Sequence, residues 1–188
     1  MKDIFRGELV RVSAEEPDVL LKEEVRWQHD SEFVRLADSN VLSLSSQKKL
    51  KERMEKHIDR GFSPERYPFS VRTLVDDKLI GFFSLYVELT HSNAWVGIGI
   101  GDRDFWSKGY GTDAMKLCLQ YAFLELALQR VSLGLHGYNL RALRSYEKAG
   151  FKLEGYTRQD VLREGKRFNT VWMGILREEW LQQNGEQP

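Results

Sequence analysis

Apolar positions along the chain follow two periods, and the change comes near residue 69. Before it, spacing is helical. After Pro17, the positions Val19, Leu20, Val25 and Trp27 repeat at helical intervals, continuing irregularly to Leu36. Leu50, Met54 and Ile58 stand four apart and predict a second helix over 47–58. The loosely alternating segment 7–12 predicts a short strand, and 61–68, which holds Pro64 and Pro68, predicts a loop. From residue 69 the period falls to two. Segments 69–75 and 80–89, joined by Asp76-Asp77-Lys78, predict an antiparallel hairpin. A turn at 90–93 leads to a strand over 94–101 that contains Gly97, Gly99 and Gly101, so either a bulge or a ligand close to the backbone is expected there. A broadly apolar helix follows over 112–128, then a strand at 131–135. A helix over 140–149 has Asn139 as N-cap and Gly150 as its stop. Two strands, 151–162 and 168–176, close the series through Glu164-Gly165-Lys166. Strands alternating with helices in the second half predict an α/β fold, a mixed sheet with helices on its faces.

Composition narrows the function classes. The 188 residues suit one domain spanning 1–188, and 41% hydrophobic with 12% aromatic residues is enough to build a core. Lys plus Arg and Asp plus Glu are 28 each, a net charge of zero, which argues against a nucleic-acid binder. No apolar run approaches the roughly 20 residues that span a bilayer, and the first residues lack the apolar core of a secretory signal. No membrane partner and a cytoplasmic setting are therefore expected. Cys118 stands alone, so neither a disulfide nor a thiolate metal site is expected, and its apolar helix marks it as inert core.

Candidate chemistry begins at Trp106-Ser107-Lys108-Gly109-Tyr110-Gly111-Thr112, between the glycine-bearing strand and a helix start. Two glycines let backbone N–H groups converge, and a helix start adds unpaired donors and partial positive charge. Lys108 adds a cation and Thr112 a hydroxyl, together a seat for a pyrophosphate. A tight strand-to-helix turn explains the same residues. The chain has no G-x-x-x-x-G-K-[ST] pattern and no third glycine to complete G-x-G-x-x-G.

Gly109-Tyr110-Gly111-Thr112 after the glycine-rich strand, followed by Asn139, Tyr146 and Gly150-Phe151, resembles the GNAT superfamily of acetyl-CoA-dependent N-acetyltransferases. Arg26-Trp27-Gln28-His29-Asp30 and the closing segments Leu162-Arg163-Glu164-Gly165-Lys166 and Val171-Trp172-Met173 resemble its ribosomal-protein-alanine and spermidine N-acetyltransferase branches. The resemblance covers roughly residues 8–180, with its motifs in a core of about 69–176. It implies a three-layer, mostly antiparallel sheet with a splayed strand pair. Acetyl-CoA would be cosubstrate, with no metal. Its arm would lie against the backbone of Ile98, Gly99 and Ile100. Ser107, Lys108, Gly109, Tyr110, Gly111 and Thr112 would cradle the pyrophosphate, and Asn139 would bind further along. Tyr146 would give a proton to the leaving thiolate, although its plain reading is an aromatic packed on the sheet.

The base is left open. Many relatives carry an Ala-Glu pair where this chain has Ala94-Trp95. Glu88, His91, Asp102 and His136 are candidates, as is a water relay. Trp106 stands where relatives carry Gln or Arg, and it reads as a packing residue that closes the loop. The acceptor pocket would be walled by Trp27, His29, Asp30 and Glu32 with Asp160 and Arg163, whose carboxylates suit a primary amine, as on a protein N-terminus, a polyamine or another small amine. An exposed edge after Phe168 is compatible with a homodimer. The alternative to an enzyme is a non-catalytic acyl-CoA sensor of the same fold, for which Trp95 speaks and Tyr146 does not.

Overall fold

A computed structural model describes residues 3–14, 17–38, 46, 48–52 and 65–185. Among them, seven strands form one sheet in the order β1-β2-β3-β4-β5-β7-β6. The strands are β1 (Val10–Ser13), β2 (Arg66–Thr73), β3 (Leu79–Glu88), β4 (Asn93–Ile100), β5 (Arg130–His136), β6 (Lys152–Arg163) and β7 (Lys166–Leu176). Only β4 and β5 run parallel; every other neighbouring pair is antiparallel. The mixed sheet expected from the strand–helix alternation is therefore present, in the mostly antiparallel form that the resemblance implies.

Helices cover both faces. On one lie α3 (Tyr110–Gln120) and α4 (Leu140–Lys148). Ala114, Met115, Leu119 and Cys118 of α3 pack on Ala94, Val96, Val131 and Leu133 in the main core. On the other face lie α1 (Pro17–Gln28) and α2 (Ser31–Ala37), whose Trp27 and Phe33 form a smaller core with Leu79, Phe82 and Trp106.

Several boundaries differ from the pattern-based expectation, each for a local reason. The first helix does not continue to Leu36: Asp30 has extended φ/ψ and its Oδ1 accepts from the backbone N–H of Glu32 (3.0 Å) and Phe33 (3.1 Å), starting α2. The helix expected over 112–128 keeps α geometry only to Gln120. One wider π turn, Tyr121–Glu125, follows and sets Tyr121 against Phe69 at 4.9 Å. Arg66, Tyr67 and Pro68 belong to β2 and not to a loop; β1 pairs with β2 only from Ser70 onward, so Pro68 sits where that side of the strand is open. The N-terminal strand is shifted to Val10–Ser13. Of the helix expected over 47–58, residues 48–52 are helical and the remainder lies outside the described residues, as do 61–64 of the expected loop. A last helix, α5 (Arg177–Asn184), was not anticipated; it buries Trp180 and Leu181.

Gly101 resolves the question raised by the glycine-rich strand in part. A Cβ there would collide with the Trp27 indole, so it is α1, and no ligand, that requires the missing side chain.

Candidate active site

The β4–β5 register holds for three pairs, Asn93↔Arg130, Ala94↔Val131 and Trp95↔Ser132, and then stops. Both strands run on, β4 to Ile100 and β5 to His136. Their facing backbones part, and a cavity of about 500 Å³ opens in the gap. Strand alternation shows that it passes through the sheet. Val96, Ile98, Ile100 and Leu135 belong to the α3/α4 face, whereas Gly97, Gly99, Gly134 and His136 belong to the α1/α2 face; all eight line it.

On the α3/α4 face the cavity meets the loop before α3. Ser107, Gly109, Gly111 and Thr112 line it, together with Ile98, Gly99, Ile100, Asn139 and Tyr146. Gly109 has φ 94° and caps the helix, a left-handed geometry glycine adopts without penalty. The first turn of α3 thus presents its unpaired N–H groups at the mouth. Lys108 and Tyr110 do not line the cavity: Lys108 is exposed, and Tyr110 stands edge-on to Phe105 at 5.0 Å. The Thr112 and Ser145 hydroxyls share a 2.8 Å hydrogen bond that joins α3 to α4. Trp106 does close the loop, as expected, by donating its indole N–H to the Ile100 carbonyl (2.6 Å).

Three cations escaped the sequence reading. Arg141, Arg144 and Lys148, all on α4, line the cavity. Arg141 lies over the Trp106 ring at 3.6 Å, where burial lowers its guanidinium below the ordinary value. Their spacing of three and four places them on one helix stripe, a signal available once Asn139 is set as the cap. Asn139 itself is committed to the fold. Its Oδ1 accepts from Ala142 N (3.1 Å) and its Nδ2 donates to the Leu36 carbonyl (3.4 Å), tying α4 to α2.

Tyr146 is half-buried, two turns into α4, with its ring 6.1 Å from Phe151. Burial pushes its phenol up to about 12, and nearby Arg141 opposes that only in part. It therefore keeps its proton throughout the neutral range.

The four base candidates separate cleanly. Glu88 and His91 flank the turn at the closed end of β4, face each other at 3.9 Å, and do not line the cavity. Asp102 is buried between Lys78 (2.7 Å) and Arg26 (3.2 Å) and also accepts from Asp104 N, which outweighs the burial that raises it and holds its carboxyl below the usual range. His136 alone of the four lines the cavity, on the α1/α2 face. Burial, aided by Arg163, pushes its imidazole below 6.5, so it is neutral at pH 7.

The Tyr138 hydroxyl lies 2.9 Å from His136 Nδ1 and donates to the Arg35 carbonyl, so the ring is held against the end of α2.

The carboxylates expected to wall an acceptor pocket have other partners. Asp30 and Glu32 both pair with Arg103, and Asp160 accepts from the backbone and hydroxyl of Thr170 (2.9 Å each). Trp27 is core, 2% exposed. Arg163 donates to the Asp38 carbonyl and Arg35 pairs with Glu164 (2.9 Å), clasping the β6–β7 tip to the end of α2. Cys118 is fully buried and burial drives its thiol far up, so it is inert. No helix among the described residues is long and apolar enough to cross a membrane.

Comparison with known proteins places this geometry. A family model described as the acetyltransferase (GNAT) domain matches residues 8–152. YjcK of Bacillus subtilis, named a probable N-acetyltransferase, is 36% identical over 124 residues, 65% of this chain and 65% of its own length. YnaD of the same organism, named an uncharacterized N-acetyltransferase, is 27% identical over 160 residues, 82% of this chain and 89% of its own. Among solved structures, the spermidine N-acetyltransferase of Vibrio cholerae in complex with CoA and spermine superposes with a TM-score of 0.79 at 23% identity, covering 92% of this chain and 98% of that one.

Proposed function

The chain belongs to the GNAT acetyltransferase family, and on that premise we propose that residues 1–188 form one cytoplasmic acetyl-CoA-dependent N-acetyltransferase that acetylates a primary amine by direct transfer. The observation that carries this reading is the parting of β4 from β5 beyond Trp95 and Ser132, with a helix start, three cations and a neutral histidine all lining the gap.

The residues fit the cosubstrate. The α3 N-terminus and the bare backbone at Gly109 and Gly111 receive a pyrophosphate, and Arg141, Arg144 and Lys148 supply the positive charge that the loop's own Lys108 does not direct inward. The open edges of Val96–Ile100 and Leu133–His136 leave unpaired backbone groups for a pantetheine amide, and one N–H there is available to the developing oxyanion. When bound, acetyl-CoA supplies an activated acyl group on a good leaving sulfur.

Tyr146 and His136 divide the proton work across the sheet. The neutral His136 ring takes the proton from the attacking amine, directly or through one water, from the α1/α2 side. Tyr146 donates its hydrogen bond, then its proton, to the departing thiolate from the α3/α4 side. The burial that raises the phenol raises a thiolate beside it for the same reason, so the transfer stays matched.

The test is to incubate the protein with acetyl-CoA and a panel of peptides, polyamines and small amines while following free thiol. Acceptor-dependent thiol release, abolished in Tyr146→Phe with acetyl-CoA affinity retained, is expected. Tight binding of acetyl-CoA with no release for any acceptor would replace this reading with an acyl-CoA sensor.

A further inference from the structure

Where β4 and β5 part, the α1/α2 face of the sheet carries a wall of aromatic side chains. Trp95, the last paired residue of β4, is 49% exposed, and so is Tyr86, its partner on β3. Trp172 of β7 pairs with Gly134 and lays its indole across it: a Cβ on Gly134 would stand 2.5 Å from Trp172 Cζ3. The Trp172 N–H donates to Thr157 Oγ1 (2.7 Å), which fixes the ring, and Trp95 meets it edge-on with centroids 5.6 Å apart. The wall adjoins the cavity directly. Gly97 and Gly134, the cavity's floor on this face, lie beside the two indoles, and the nearest atom over Gly97 is 3.9 Å away, on Tyr86. His136 is two residues beyond Gly134 on the same face.

Among the described residues, the following acids near this wall have partners. Asp30 and Glu32 pair with Arg103, Glu164 with Arg35, Glu154 with Arg130, and Asp160 with Thr170. Glu88, further along β3, faces His91, and Arg66 lies over the Tyr86 ring at 5.6 Å. A substrate carrying two or more ammonium groups needs carboxylates held ready for each. Here such a substrate would have to break ion pairs that clasp α2 to its neighbours. A flat apolar body needs only the surface that Trp95 and Trp172 already present.

We propose, resting on the acetyltransferase reading above, that the acceptor is a primary amine on an apolar, aromatic body with no second cation, stacked on Trp95 and Trp172 with its nitrogen toward His136. The experiment compares kcat/KM for 2-phenylethylamine, tryptamine, spermidine and spermine, and repeats it with Trp95→Ala and Trp95→Phe. Expected are at least tenfold higher kcat/KM for the arylalkylamines than for the polyamines, a roughly tenfold rise in their KM in Trp95→Ala with kcat held within about twofold, and recovery in Trp95→Phe. Acetyl-CoA affinity, measured on each variant, should not move. Faster turnover of spermidine or spermine, or an arylalkylamine KM indifferent to Trp95→Ala, overturns the acceptor class and leaves the acetyltransferase reading standing. No thiol release with any of the four overturns the acceptor class; the acetyltransferase reading falls only if the peptides of the wider panel release none either.

Discussion

At the residue scale the site rests on two titratable groups displaced in opposite directions by the same cause. Burial holds the Tyr146 phenol protonated and the His136 imidazole neutral, and each is the form its proposed role requires. Replacing Tyr146 with Phe should lower kcat by about 10²-fold or more with little change in acetyl-CoA KM, read by thiol release. For His136 the sign is fixed by the depressed value. The ring takes up a proton only below pH 6.5, so kcat/KM should fall on that side and stay free of an alkaline limb from Tyr146 up to about pH 10. His136→Gln, measured with the same acceptor, should lose that acid limb along with about 10²-fold in rate; an unchanged limb would remove His136 from the mechanism. The folded state also resists protonation of this ring, so its contribution to stability is present above 6.5 and lost as the pH falls toward the depressed value. Tyr146 entered through the resemblance, whose motif spaces it from Asn139 and Gly150, and the structure puts it on the cavity wall. His136 was one of four equals, because proximity in sequence to a strand end does not say which end of the split it reaches.

Elements were legible wherever periodicity was strong, and missed where a single side chain overrode it. The β2–β3 hairpin, β4, β5 and α4 stand close to where alternation and capping placed them. The break at Asp30 and the π turn after Gln120 did not show, since the first depends on one carboxylate turned onto two N–H groups and the second on tertiary packing of Tyr121. Asp113 is the clearest case of a residue whose role no pattern announces. In the first turn of α3, it is buried and accepts from the backbone N–H of Glu8 (3.2 Å), Leu9 (2.7 Å) and Val10 (3.0 Å), bonds spanning more than a hundred residues. That clamp fastens the start of β1 to the helix whose N-terminus forms the anion seat. Asp113→Ala strands three N–H donors and should cost about 3 kcal/mol, with Asp113→Asn between it and the native chain. Urea unfolding should show a lower midpoint at an unchanged slope.

For the whole molecule, zero net charge at first spoke only against a polyanion partner. The folded chain brings Arg141, Arg144 and Lys148 together along the split, so a balanced total hides an asymmetric distribution. That asymmetry predicts how stability depends on ligand. On the proposed reading acetyl-CoA needs β4 and β5 both folded, so at a hundred times its Kd it should stabilise the native state by about 2.7 kcal/mol. For a chain of this length that is a rise in Tm of roughly 5–10 °C. Arg144 is exposed and makes no ion pair among the described residues, so Arg144→Glu should leave the ligand-free Tm within about 1 °C. Placed beside a phosphate, the reversed charge should weaken acetyl-CoA binding at least tenfold and take about 1.4 kcal/mol off the stabilisation at the same ligand concentration. Raising the salt should shrink the native shift toward the variant's, because the exposed part of the attraction is screened within about 8–10 Å. An Arg144→Glu protein whose Tm still rises in full with acetyl-CoA would place the phosphates elsewhere on the molecule.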